Sequence, residues 1–146
     1  MRQPAYEHVQ GYYLLKTEPD DYSFEDLERD GSTVWDGVRN YAALKHMREV
    51  RKGDLALVYH TGKERRVVGV ARAASDAYPD PRADDPKIVA FDLEPVEHLE
   101  RAVPLSEIKD DPDLQTFDLV RLPRLSAMAV TPEQWEKIAG MGRARD

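Results

Sequence analysis

The stretch between residues 53 and 71 limits what this chain can fold into more than any other. Leu55-Ala56-Leu57-Val58-Tyr59 is almost continuously apolar, and it is entered from a Lys52-Gly53-Asp54 turn. Thr61-Gly62-Lys63 then folds the chain back onto Arg66-Val67-Val68-Gly69-Val70-Ala71. Two such runs bounded by turn residues read as a β-hairpin. A strand that is apolar at nearly every position, rather than at alternate ones, is covered on both faces. The rest of the chain therefore has to supply neighbouring strands and a covering layer.

Those elements are legible. Tyr12 to Thr17 reads as a strand buried on both faces. Ser23 is the expected N-cap of a short helix through Leu27, with Asp26 at the capping-box position. Asn40 is the expected N-cap of a second helix, whose Leu44, Met47 and Val50 share one face while Lys45, His46, Arg48 and Arg51 share the other. Residues 77–86, rich in proline and aspartate, read as an exposed loop. Lys87 to Val96 reads as a long strand, Leu105 to Ile108 as a short helix and Leu125 to Val130 as the last strand. Thr131-Pro132-Glu133-Gln134 opens a final helix, expected to run to about Ala139 with Gly140 past its end. This order lacks the strand–helix alternation of a parallel sheet. It predicts an α+β fold, a β-barrel of five or six strands with flanking helices.

At 146 residues the chain is most simply one domain. No apolar run approaches the roughly 18 residues of a membrane span, no export signal is visible, and a cytoplasmic monomer is the simplest expectation. The absence of cysteine rules out disulfides, thiolate metal sites and cysteine catalysis. The net charge of −7 argues against indiscriminate coating of nucleic acid. Charge is unevenly placed, however: residues 39–72 carry 9 basic and 3 acidic side chains, whereas 1–38 carry 3 and 9. One positive segment in an acidic chain is either a solvated helix and hairpin or a localised anion-facing surface.

The chemistry available is limited. His8, His46, His60 and His98 are dispersed without ligand spacing, so no metal is expected. The carboxylates Glu18, Asp20, Asp21, Glu25 and Asp26 straddle a helix start, where acidic side chains suit the positive dipole end. No serine sits in a glycine-flanked elbow. Nothing calls for a cofactor. Base recognition, by contrast, needs a flat aromatic face, hydrogen-bond partners for a base edge and cations for flanking phosphates. Trp35 can stack, and Asn40, Thr17 and Ser126 can read an edge. Arg39, Lys16 and the basic helix face of Lys45, Arg48 and Arg51 can hold phosphate, and Tyr59 and His60 are expected at the same rim. Singly, each has a plain structural alternative: a core tryptophan, a turn, a solvated cation.

Four strings are more specific in combination. Lys16-Thr17-Glu18-Pro19, Trp35-Asp36-Gly37-Val38-Arg39-Asn40, Val58-Tyr59-His60 and Arg124-Leu125-Ser126, in that order, resemble the EVE domain. The resemblance covers about Tyr12 to Ile138, so residues 1–11 read as a lead-in, 12–139 as the domain and 140–146 as a tail. It implies a PUA-like β-barrel related to YTH, ASCH and SRA domains, with a pocket for a modified base between the barrel and its early helix. It also implies that Lys16, Thr17, Trp35, Asn40, Tyr59, His60 and Ser126 line that pocket, with Arg124 in the closing segment.

The expected function is therefore a non-enzymatic module that stacks a modified base of DNA or RNA in an aromatic-lined pocket. The partner is nucleic acid carrying that base. Catalytic, metal and cofactor residues are not expected. The alternative is an ASCH-like amidohydrolase acting on an acylated nucleoside, for which Lys16, Thr17 and a carboxylate would be the working groups.

Overall fold

The computed structural model describes residues 11–143; residues 1–10 of the lead-in and 144–146 of the tail lie outside the described residues. Strand β1 spans Tyr12–Thr17, β2 Thr33–Trp35, β3 Leu55–His60, β4 Arg66–Ala73, β5 Tyr78–Pro79, β6 Val89–Pro104 and β7 Ala127–Val130. Helix α1 spans Phe24–Asp30, α2 Tyr41–Met47, α3 Leu105–Asp110, α4 Asp118–Arg121 and α5 Pro132–Met141, with a single 3-10 turn at Pro112–Leu114.

The strands form one mixed sheet in the order β2-β6-β4-β3-β1-β7, with β5 added beside β6. The sheet curls into a half-barrel with helices outside it, as the hairpin and capping signals predict. The expected hairpin is β3–β4, paired from Leu55 opposite Arg72 to His60 opposite Arg66, with a register shift at Val58/Tyr59. Every residue of β3 is buried, which is what its unbroken apolar run requires. β1 lies parallel to β3 and antiparallel to β7. That parallel pairing, made across α1, β2 and α2, leaves no local trace in the sequence.

Three strands differ from the sequence reading. β2 is too short for its period to show, and it is specified by pairing with Leu93, Asp92 and Phe91 of β6. The proline-rich segment is not all loop, because Tyr78 and Pro79 pair with Ala90 and Val89. β6 runs on to Pro104, because bulges at Val67/Gly69 and Val70/Ala71 let it stay paired with β4 while it bends.

The core is continuous through the curl. Leu14, Leu57, Phe91, Leu93, Phe24 and Phe117 are all essentially inaccessible, each contributing about 1.5–3 kcal/mol by burial. Phe24, at the head of α1, lies against the backbone of β4: a Cβ built on Gly69 would meet its ring at 2.6 Å. Gly69 is therefore the opening through which α1 seats itself. Ser23 and Asp26 form the expected capping box, and Gly31 ends the helix at φ 78°. α2 packs on β7 and β6, and α5 packs on β6. Among the described residues no helix is long and apolar enough to cross a membrane.

Candidate functional site

β1 ends at Lys16 and Thr17, paired with Tyr59 and His60 of β3, and the chain then turns at once. Asp21 and Tyr22 donate their N–H groups to the Glu18 carbonyl, and Thr17 Oγ1 donates to the Tyr22 carbonyl at 2.7 Å. The Lys16 N–H donates to the Ser126 carbonyl at 3.0 Å, which fastens the residue before β7 beside β1. On the opposite edge of the sheet, β2 delivers Trp35 into a turn that Gly37 permits at φ 79°. The turn ends at Asn40, whose Oδ1 caps α2 by accepting from the Ala43 N–H at 3.0 Å.

The curl brings these two edges face to face. Between them is a cleft of about 590 Å³, lined by Lys16, Thr17 and Ser126 on one side and by Trp35, Arg39 and Asn40 on the other. Its size is within the roughly 300–1,000 Å³ typical of small-molecule sites. Six of the expected residues thus meet, although they come from positions as far apart as 16 and 126. Glu18, Asp21, Tyr22, Asp36 and Val38 line the same cleft and were missed as site residues in the sequence. Their signal was present, since all five lie inside or beside the strings at 16–19 and 35–40, but it read as helix capping and turn chemistry.

Trp35 is both a core and a cleft residue. It is 9% exposed, belongs to the hydrophobic core, and pairs in register with Phe91. Among the described residues its indole N–H has no hydrogen-bond partner, yet no buried side-chain nitrogen or oxygen is left unsatisfied. The N–H is therefore accessible, and the cleft is where the residue meets solvent. Asn40 spends its oxygen on the cap and, among the described residues, has no partner for its amide NH2. Asp36 pairs with Arg82, and Tyr41 Oη donates to Asp85 Oδ2 at 2.8 Å, so the proline-rich segment braces this wall from behind.

Lys16 is half-buried, and burial lowers its pKa below the usual lysine value. Its Nζ donates to the Pro123 carbonyl at 2.8 Å and lies 5.7 Å from the centre of the Tyr59 ring. Tyr59 and His60 do not line the cleft. Tyr59 lies beneath Lys16 and lines a separate pocket. His60 is 3% exposed and structural: Nε2 accepts from the Phe24 N–H at 3.0 Å and Nδ1 faces Glu64 Oε1 at 2.9 Å. These partners require the neutral tautomer with its proton on Nδ1. Glu64 is held below the usual carboxylate range chiefly by that bond to His60. Sequence alone could not make this distinction, because a histidine ending a strand looks the same whichever way it faces.

The expected phosphate contacts are divided by the fold. Arg39 lines the cleft. Lys45, Arg48 and Arg51 lie further along α2 and beyond its end, outside the cleft lining, and Arg48 and Arg51 donate to the carbonyls of Lys87, Arg48 and Val50. Arg124 is exposed between Pro123 and Ser126 and lines neither cavity. No group of three or more metal-ligating side chains occurs among the described residues.

With this geometry in view, the chain can be set beside known proteins. The EVE domain model matches residues 11–141. Thymocyte nuclear protein 1 of Gallus gallus is 30% identical over 164 residues, an alignment covering 89% of this chain and 68% of that protein. A crystal structure of a protein from Agrobacterium tumefaciens has a TM-score of 0.87 and 32% identity, covering 94% of this chain and all of that one (100%). The human THYN1 protein, solved in complex with 5-methylcytosine-containing DNA, has a TM-score of 0.85 and 27% identity, covering 94% of this chain and 100% of that chain. A YTH domain of Zygosaccharomyces rouxii, at 18% identity and a TM-score of 0.56, shares the fold. Fold, motifs and similarity over most of the chain agree: the architecture is PUA-like, and this chain belongs to the EVE domain family.

Proposed function

We propose that this protein is a non-enzymatic reader of a modified base, held in the cleft between β2 and the β1–β7 edge. The observation that carries the reading is the convergence of opposite sheet edges on one opening. That opening has an aromatic side chain with a free indole N–H on one wall and a half-buried lysine on the other. The likeness to human THYN1, whose structure contains 5-methylcytosine DNA, supports the same chemistry and makes 5-methylcytosine the first base to test.

Each group has a role. Trp35 offers its ring edge or face, and a good aromatic platform is worth about 1–3 kcal/mol per base. The indole N–H and the Asn40 amide are donors for ring nitrogen or carbonyl oxygen. Asp21 and Asp36 are acceptors for an exocyclic amino group, the pairing that carboxylates make with cytosine N4. Arg39 and Lys16, which line the cleft, are the cations available to the flanking backbone. A cleft edged by carboxylates repels phosphate from its interior, which favours entry of the base rather than the backbone.

The amidohydrolase alternative is supported by the burial-lowered pKa of Lys16. Against it, Thr17 gives its proton to a main-chain carbonyl, and both Glu18 oxygens accept bonds, from the Asp20 N–H and the Thr61 hydroxyl. A hydroxyl engaged in this way is not poised to attack. Incubation with N4-acetylcytidine is expected to release no acetate; release that disappears in Lys16→Ala would establish the enzyme.

The direct test is equilibrium binding to matched oligonucleotides that carry 5-methylcytosine, N6-methyladenine or no modification. One methyl group discriminates by about 1–3 kcal/mol in an apolar pocket, so a preference of roughly ten- to a hundredfold is expected for one modified strand. Equal affinity for every strand would overturn the reading.

A further inference from the structure

The cavities of this acidic protein differ in how their cations are compensated. The cavity between β6 and α5 has Arg101 paired with Glu107, and Lys137 paired with Asp111 and Asp113. The cavity beside α1 includes the carboxylates Asp20, Glu25 and Glu64 among its lining. A third, about 220 Å³ in volume, lies between the β3–β4 turn and α3. Lys16, Arg65 and Lys109 line it, no carboxylate does, and none of the three has an ion-pair partner among the described residues.

Its remaining polar lining suits an anion. Tyr59 lines it with a hydroxyl that has no partner among the described residues, and Thr61 and Gly62 complete the wall, the Thr61 hydroxyl being committed to Glu18 and the Thr17 carbonyl. Arg65 adopts φ 46°, a left-handed conformation uncommon for a residue with a side chain. Its carbonyl accepts from the Leu105 N–H at 2.9 Å, which holds the turn against α3. Arg65 is also near enough to the Tyr59 hydroxyl to offset part of the rise in pKa that burial causes. Glu18 reaches Thr61 Oγ1, at 3.2 Å, from the side of the larger cleft. Lys16 lines both cavities, and its ammonium lies against Pro123 and Tyr59 of the smaller one.

We propose that this pocket binds a backbone phosphate of the strand whose modified base enters the neighbouring cleft, with Arg65 and Lys109 as its cationic arms and Lys16 as the shared wall. This rests on the base-reading proposal and adds to it the path of the strand. The path runs from the cleft mouth across Lys16 to the β3–β4 turn, not along the basic face of α2. A phosphate here neutralises Arg65 and Lys109, whose side chains have no hydrogen-bond or ion-pair partner among the described residues, whereas Arg48 and Arg51, like Lys16, are already engaged with carbonyls.

The test compares wild type with Arg65→Gln/Lys109→Gln and with Arg48→Gln/Arg51→Gln on modified and plain single strands over a salt series. All four side chains are exposed, and cooperative melts establish that the variants fold. The Arg65/Lys109 pair is expected to weaken both strands about tenfold, as loss of a charged hydrogen bond does. It is also expected to flatten the slope of log K against log [salt] by about 0.7 for the lost phosphate contact. The ratio between modified and plain strands should not change, since phosphate contacts position without specifying. An unchanged slope, or a larger loss from the Arg48/Arg51 pair, overturns the pocket while leaving base selectivity standing. Loss of slope with no selectivity in the wild type overturns the base reading and leaves the pocket. A wild type that binds no strand overturns both. Inorganic phosphate separates a free anion from a strand: saturation below about 1 mM, with strand affinity indifferent to Arg65 and Lys109, overturns the assignment to backbone.

Discussion

At Trp35 core packing and recognition draw on the same ring, because only 9% of the residue is exposed and its free N–H belongs to that exposed part. Trp35→Ala is therefore expected to lose base discrimination and also about 3–5 kcal/mol of stability, more than a purely exposed platform would cost. Trp35→Phe separates the two roles. It keeps most of the buried volume, so the melt should remain cooperative and near wild type, while binding loses the interaction made through N–H. If Trp35→Phe binds modified strands as well as wild type does, the indole N–H has no part in recognition. His60 stands at the other extreme, a buried polar side chain committed to Phe24 and Glu64. Glu64 has a folded pKa depressed below its ordinary value of 4.5, so its contribution to stability is present above that value and is lost as pH falls through the folded pKa. Glu64→Gln should flatten the acid limb of the stability curve, measured by denaturant midpoints from neutral pH downward. An acid limb identical to wild type would remove the His60–Glu64 hydrogen bond from the account.

Among the elements, α1 bears on the site through the turn that leads into it, whose Asp21 and Tyr22 line the cleft. It is seated by Phe24 over Gly69 and by the N–H of Phe24 on His60. Gly69→Ala puts a methyl group 2.6 Å from an aromatic carbon in a full core, and overpacking of this kind costs about 1–3 kcal/mol. The expected outcome is a lower melting midpoint together with weaker binding, as α1 shifts outward. Unchanged stability would mean that Phe24 repacks freely. At α5 the same dependence on tertiary contact appears in milder form. Gly140 has the look of a residue past a helix end, yet the helix continues to Met141. Gly142 closes against Leu99, where a Cβ would lie 2.9 Å away, and its carbonyl accepts from the Arg101 N–H.

For the molecule as a whole, the sheet is a half-barrel whose two edges, β2 and β7, are brought together around one cleft. A ligand there bridges segments far apart in sequence, so it should stabilise the fold globally and not merely locally. At a hundredfold excess over Kd the stabilisation is about 2.7 kcal/mol. The melting midpoint should therefore climb with oligonucleotide concentration, further for a modified strand than for a plain one at equal concentration. Identical midpoints for the two strands would count against selective binding to the native state. The net charge of −7 bears on this measurement, because overall it opposes a polyanion. The salt dependence should be correspondingly shallow.

The residues alone determined the hairpin at 55–71, the capped starts of α1, α2 and α5, and the four ordered strings that resemble the EVE domain. These are local properties, set by side-chain period, by capping hydrogen bonds within three residues, and by turn residues that need particular backbone angles. The tertiary structure decided the rest. It placed β1 parallel to β3, stretched β6 to sixteen residues through its bulges, and made a strand of Thr33–Trp35 by pairing it with β6. It also sorted the candidate residues, bringing Lys16, Thr17, Trp35, Arg39, Asn40 and Ser126 into one cleft while turning His60 into the core. Which face a side chain takes depends on register, and register depends on partners that lie dozens of residues away.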